Sequence, residues 1–394
     1  MTIKSCLLLL LMGAYCYAPQ GVSSPLALGI GFGCTIKAGN VFCWGENHGG
    51  QLDDGAGVNR SGATLALGLS GNSVAVTAGL YHACALSAAG GVKCWGDNAN
   101  GQLGDGTNNQ NAPPVTPVGL DNGVQAISAG GYHTCALTNA GAVLCWGYNG
   151  EGELGDGTTN DHPNPTQVSG LESGVKAIST GMYGSCALTT SGAVFCWGNN
   201  VYGSVGDGIQ TWDRRTLPSQ VYGLRSGTSA ITSGDYHSCA LSAAGGVICW
   251  GNNDSGQLGN ADLNAQHKYA AFAPVQVDGF ADPQTEITAG AEHTCSISLT
   301  GAARCWGSNA QGELGGLGQQ FVAFVPPTLV SRLSSQVSYL AAGSQGTCAL
   351  VTTGAVLCWG AMGFTVEGFT YPKIVLPIVV QGLGYSRKTY WHPH

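Results

Sequence analysis

Residues 82–96 read His82-Ala-Cys-Ala-Leu-Ser-Ala-Ala-Gly-Gly-Val-Lys-Cys-Trp-Gly96. Two short runs with alternating side chains flank a glycine turn, the pattern of a tight β-hairpin. Centred on Ala89, the hairpin sets Cys84 opposite Cys94, Ala85 opposite Lys93 and Leu86 opposite Val92. Opposed residues of antiparallel strands lie about 4.5–5.5 Å apart at Cα, and a disulfide accepts about 4.4–6.8 Å. The pair therefore closes inside its own hairpin without moving the backbone. Cys84, Leu86, Val92 and Cys94 share one face, while Ala85 and Trp95 point to the other. Both faces are apolar, as expected of a sheet packed between two neighbours.

The motif recurs seven times. Its cysteines pair as Cys34 with Cys43, Cys84 with Cys94, Cys135 with Cys145, Cys186 with Cys196, Cys239 with Cys249, Cys295 with Cys305 and Cys348 with Cys358. The second member is always followed by Trp-Gly, at Trp44, Trp95, Trp146, Trp197, Trp250, Trp306 and Trp359. Successive tryptophans are 51, 51, 51, 53, 56 and 53 positions apart. A period of this size marks a repeat architecture. Read from Val124, one unit offers strands over 124–130, 133–138 and 142–147, a glycine-rich loop over 149–158 and a fourth strand over 163–171. Four short antiparallel strands per repeat predict an all-β, seven-bladed β-propeller with one within-hairpin disulfide per blade. The first pair is one residue closer, and a two-residue Ala38-Gly39 turn preserves its opposition. Zinc ligation needs a C-x₂₋₄-C spacing, which these pairs lack.

The repeat resembles that of the regulator of chromosome condensation family. Repeat two shows the likeness in Ala78-Gly79, His82, Ala85-Leu86, Gly91-Val92, Trp95-Gly96, Asn98 and Gly101-Gln-Leu-Gly-Asp-Gly106. The resemblance implies a seven-bladed propeller. The cysteine pairs depart from the nuclear members and look like those of secreted bacterial relatives, which include β-lactamase inhibitors. The likeness weakens at the ends, and the histidine is replaced by Phe32, Gly184 and Gly346. Asp53 replaces a loop glycine, and repeat seven loses the loop. Residues 377–383 resemble a fourth-strand segment, expected to complete the ring beside the N-terminal strand.

Residues 1–24 read as a signal peptide: Lys4, then the apolar run Leu7–Met12, then small residues, with cleavage expected between Ala18 and Ser24. Tyr15 before Cys16 argues against a lipoprotein. Fourteen cysteines remain in seven pairs, the usage of an oxidising compartment. The expected organisation is leader 1–24, propeller 25–384 and tail 385–394, in a monomer that is secreted or otherwise outside the cytoplasm, without membrane insertion. Glycine, at 64 residues, suits many tight turns, and charged residues are only 9%. The net charge of −8 and the absence of a basic patch argue against a nucleic-acid partner.

His82, His133, His237 and His293 share one repeat position. A ligand ring is conceivable, but a neutral histidine bonded to neighbouring backbone is the simpler expectation. Asp105, Asp156 and Asp207 each give their loop one carboxylate, which suits a turn better than a calcium site. No G-x-S-x-G elbow, phosphate loop or helix stands out. No catalytic residue, metal or cofactor is called for.

Repeats four to six carry longer connections with unusual side chains: Trp212, Arg214 and Arg215; His267, Lys268, Tyr269 and Phe272; Phe321 and Phe324. Aromatic and arginine clusters typify binding hot spots, so these define a candidate binding sector. The expected function is non-catalytic binding of a protein or a cell-surface glycan. Two rivals stand beside it: guanine-nucleotide exchange, implied by the resemblance, and a propeller enzyme acting on polysaccharide.

Overall fold

The structure, a computed structural model, describes residues 24–110, 112–316, 326–361, 365–366, 369–370 and 374–383. Residues 1–23 of the expected leader, the tail 385–394, Phe321 and Phe324 lie outside the described residues.

Seven four-stranded antiparallel sheets follow one another along the chain. In blade three the strands are Val124–Ala129, His133–Thr138, Val143–Gly147 and His162–Gln167. The fourth ends sooner than expected because the chain turns at once, with Leu171 N–H donating to the Val168 carbonyl. Each first strand touches the first strands of both neighbouring blades, and Leu26–Leu28 touches Val337–Ala342, closing an inner wall.

The hairpin register holds throughout. Cys34 opposes Cys43, Cys84 opposes Cys94, Cys135 opposes Cys145 and Cys186 opposes Cys196. Cys239 opposes Cys249, Cys295 opposes Cys305 and Cys348 opposes Cys358. A disulfide joins each of these seven pairs. The expected spacing needs correction, because the Cα separations are 4.0–4.1 Å, below the expected range. Ser87 N–H donates to the Gly91 carbonyl beside the turn, so alternation along the ladder leaves Cys84 and Cys94 as a non-hydrogen-bonded pair. Antiparallel backbones approach most closely at such pairs. In the first hairpin, Ala38 and Gly39 have φ of 51° and 79°, the left-handed pair that a two-residue turn requires.

The core is divided into seven parts, one between each pair of blades. Between blades two and three, Cys84, Leu86, Val92 and Cys94 pack against Ala136 and Trp146. On the other side of blade two, Ala83, Ala85 and Trp95 pack against Phe32, Cys34 and Val41. All seven signature tryptophans are fully buried. Losing such a ring costs about 3–5 kcal/mol, so the tryptophans are the main apolar fixings of the ring.

Two further expectations need correcting. Ile374–Val379 is the fourth strand of blade seven and pairs with Val356–Gly360, whereas Leu26–Leu28 is the first strand of blade one. The terminal strands therefore lie at opposite edges of adjacent blades and meet by packing, with Leu26, Trp44, Val380 and Leu383 in one cluster. The fold also contains a short α-helix, Ala261–Ala265, capped by the Asn260 side chain, which accepts from Leu263 N–H. The longer connection of blade five has room for it.

Candidate functional site

The recurring histidines build joints between blades. His82 Nε2 lies 2.9 Å from Thr134 Oγ1, and His133 Nε2 lies 2.9 Å from Ser185 Oγ. His237 and His293 bond Thr294 and Thr347 in the same way. The partner is thus a hydroxyl of the next blade, correcting the expected backbone partner. Thr134 Oγ1 donates its own proton to the Gln102 carbonyl, so the imidazole must supply Nε2–H. Trp146 Nε1 donates to the same carbonyl. Nδ1 of each of the four rings is buried without a partner. Burial holds His82, His133 and His237 down to about 3 and His293 to about 4, leaving all four neutral. Rings in this state serve as structural wedges.

Inside them runs a second set of links. Thr77, Ser128, Ser179, Thr232 and Thr288 each accept from a backbone N–H of the next blade, at Ala129, Thr180, Ser233, Ala289 and Ala342. These first strands line the central channel. Midway along it is a cavity of about 140 Å³ bordered by Ile127, Ile178, Ile231 and Glu286. Glu286 accepts from Leu340 N–H, and burial raises it to about 8. The channel mouth at the strand ends is lined by Leu80, Gly131, Met182, Asp235, Ala291 and Ser344.

The residue following each mouth position supplies the feature that sequence reasoning missed. In blades two to five it is tyrosine: Tyr81, Tyr132, Tyr183 and Tyr236. Their carbonyls accept from Asp97, Tyr148, Asn199 and Asn252, the residues after Trp-Gly, so the loops that follow open on the same face. The rings form a partly exposed aromatic arc around the mouth. Tyr183 and Tyr236 are 5.6 Å apart, Tyr236 and Tyr202 6.0 Å, Tyr202 and Trp212 5.9 Å, and Tyr132 and Tyr148 6.4 Å. Burial, then neighbouring charges that include Asp235, Glu151 and Asp97, raises Tyr132, Tyr148 and Tyr183 and brings Tyr236 to about 12. The phenols are neutral donors beside carboxylates. A signal for the arc exists in the sequence: tyrosine stands before the histidine position in four consecutive repeats, and Tyr183 persists where Gly184 replaces the histidine.

The expected sector residues part company. Trp212, 63% exposed, extends the arc through Tyr202. Arg214 reaches across to the Gly150 carbonyl and lies 4.0 Å from Glu151. Arg215 is tied to Asp207 at 2.7 Å and holds its own loop. Phe272 packs on Gly203, where a Cβ would come within 2.6 Å of the Phe272 Cα. His267 takes a left-handed φ of 50° and Lys268 N–H donates to Leu263 O, so both close the turn after the helix. Tyr269 is 59% exposed, and among the described residues no ring contact joins it to the arc. The aspartates work locally: Asp105 accepts from Thr107 N–H and Oγ1, and Asp156 from Thr158.

A family model described as RCC1-like domain matches residues 27–347. The ultraviolet-B receptor UVR8 of Arabidopsis thaliana is 28% identical over 374 residues, 91% of this chain and 82% of its own length. The mitochondrial protein RUG3 of the same plant, an RCC1 domain-containing protein, is 26% identical over 73% of this chain and 65% of its own length. The human E3 ubiquitin-protein ligase HERC2 is 32% identical over 65% of this chain, a stretch that is only 5% of the ligase. Among solved structures, that of Kap60 bound to yeast RCC1 (Prp20) matches with a TM-score of 0.76 at 20% identity, covering 93% of this chain and 89% of the other. Human WBSCR16 matches with a TM-score of 0.71 at 21% identity, covering 86% and 89%. At these identities the structural matches bear on the fold alone.

Proposed function

This chain belongs to the RCC1-like domain family, and on that premise we propose that it is a secreted binding protein that engages a protein partner with the tyrosine-bearing face of its propeller. The observation that carries this reading is the arc of Tyr81, Tyr132, Tyr183 and Tyr236, extended by Tyr148, Tyr202 and Trp212. Large, stiff rings with polar tips give much contact area for little lost side-chain freedom, which is why they dominate protein interfaces. The seven cysteine pairs and the leader-like N-terminus support a site of action outside the cytoplasm. Yeast Prp20 is solved bound to Kap60 and is described with binding properties to Gsp1p and histones, so protein binding has precedent on this scaffold.

Exchange on a small GTPase is disfavoured by the same leader and disulfides, because such a partner resides inside the cell. A polysaccharide-cleaving role has one observation in its favour. Desolvation first, and then Glu292, raises Asp235 to about 6, as a general acid would require. A glycan-activity screen with Asp235→Asn as control tests that reading.

The test of the main proposal is affinity capture from the surroundings of the source cell with the oxidised protein as bait. A variant with Tyr132, Tyr183 and Tyr236 changed to Ala should lose a protein that Tyr269→Ala retains. Equal capture by both variants would remove the face assignment. Fractionation with the reduced cytoplasmic pool would remove the secreted one.

A further inference from the structure

Asp235 is the one carboxylate of the arc that lines the channel mouth itself. Neighbouring carboxylates have partners: Asp97 accepts from Gln102 Nε2, Glu151 from Asn199 Nδ2, and Glu292 from Ser255 Oγ. Asp235 has no hydrogen bond among the described residues, although it also borders a small recess with Tyr183, Asn199, Ser204 and Ser238. Asp235 is half-buried, so its carboxylate, without donors among the described residues, is open to a cation brought from outside. Tyr183 and Tyr236, tilted by 37°, stand near enough to feel its charge, and Glu292 adds a second negative charge. Cations are attracted to ring faces and to carboxylates alike, and most strongly where both are partly withdrawn from water. Arg214 already satisfies itself on Gly150 and Glu151. The nearby demand for positive charge is therefore unmet among the described residues.

We infer that the channel mouth at Asp235, framed by Tyr183, Tyr236 and Glu292, receives a lysine or arginine side chain from the protein partner. This rests on the reading of the tyrosine face as a protein-binding surface and specifies its chemistry. The arc supplies contact area, and Asp235 selects for a basic anchor at its centre. The chain's net charge of −8 favours the approach of such a partner.

Random peptides displayed on phage and selected on the oxidised protein test both levels. Selection should enrich peptides with a lysine or arginine flanked by apolar residues. Asp235→Asn should lower that enrichment about tenfold, the scale of one charge-assisted contact, and added salt should lower it further. Glu292→Gln, at an exposed position, should lower it less. The thermal melt of Asp235→Asn should match or exceed the parent, because the repulsion between Asp235 and Glu292 is removed, and Glu292→Gln should melt with the parent. Enrichment without basic bias, or basic bias that survives Asp235→Asn, would overturn the anchor and leave the surface standing. Enrichment that survives replacement of Tyr132, Tyr183 and Tyr236 by Ala would overturn the surface as well.

Discussion

At the joint between blades two and three, His82 reaches Thr134; at the joint between blades one and two, the same repeat positions hold Phe32 and Ala83. The rest of the machinery is shared. Trp95 Nε1 donates to the Gln51 carbonyl as Trp146 Nε1 does to Gln102. Gly29 leaves space for the Phe32 ring as Gly79 does for His82. The polar joint adds two hydrogen bonds, worth about 0.5–1.5 kcal/mol each, and leaves Nδ1 unpaired at about 1–3 kcal/mol. These nearly cancel, so the histidine adds little strength. What it adds is direction: only one rotation of one blade against the next lets imidazole, hydroxyl and carbonyl meet. Blade one lacks the inner hydroxyl link on both sides as well, with Ala27 and Ala341 at those positions. Ser24 replaces it, its backbone carbonyl accepting from Val76 N–H on one side and its Oγ accepting from the Tyr339 hydroxyl on the other.

The largest way to break the comparison is acid. Four histidines held near 3 to 4 in the fold and near 6.5 when unfolded favour the folded state above pH 6.5 and oppose it as pH falls. Each contributes about 1.4 kcal/mol per pH unit of descent, giving roughly 5 kcal/mol per unit together. Urea midpoints measured from pH 7 to pH 5 should fall steeply, with uptake of about four protons. Converting the second joint to the first, with His82→Phe and Thr134→Ala, should remove one of them.

Next in size is Gly130→Ala. A Cβ there would lie 2.3 Å from His133 Cε1 and 2.4 Å from the Gly181 carbonyl, neither able to retreat. The expected loss is about 3 kcal/mol by chemical denaturation. Smaller is Phe32→His, which buries an imidazole opposite Ala83 with no acceptor and should cost about 2 kcal/mol. Adding Ala83→Thr supplies the hydroxyl, and the Gln51 carbonyl stands ready for it, so the double variant should recover more than half. Independent, additive losses would show that the joint is not a unit.

The last change, read along the pH axis, is Glu153→Gln. Burial raises Glu153 to about 8, and one of its oxygens has no partner. Its folded pKa exceeds its unfolded one, so its contribution is present below about 4.5 and is lost as pH rises through 8. The glutamine variant should therefore gain stability over the parent at about pH 8 and nothing at about pH 4.5, measured by urea midpoints at the two pH values. Equal gains at both pH values would show that the charge is not the cause.

Blade count, hairpin register and disulfide pairing are legible in the sequence because they depend on residues close together along it. The joints are less so. His82 and Thr134 are 52 positions apart, and reading each repeat by itself hides a contact that crosses to the next. The tyrosine arc is masked by its neighbour, because the histidine one position later is the more obvious ligand. The helix Ala261–Ala265 is too short to show a period. Among the described residues of the candidate sector, Arg215 and Phe272 are occupied within the blades' own loops, which connection length alone does not reveal.

No blade borrows a strand from another, and the first and last strands of the ring share one apolar cluster at the joint of blades seven and one. The order in which the blades are threaded is then separable from the way they stand. A circular permutant that joins residue 383 to residue 24 through a short linker and opens at Gly119 or Gly170, glycines with no neighbour a Cβ would meet, should rebuild the same wheel. Blade one, with its apolar seals, would then sit inside the chain. Its refolding against the parent's would separate the effect of chain ends from the effect of missing histidines.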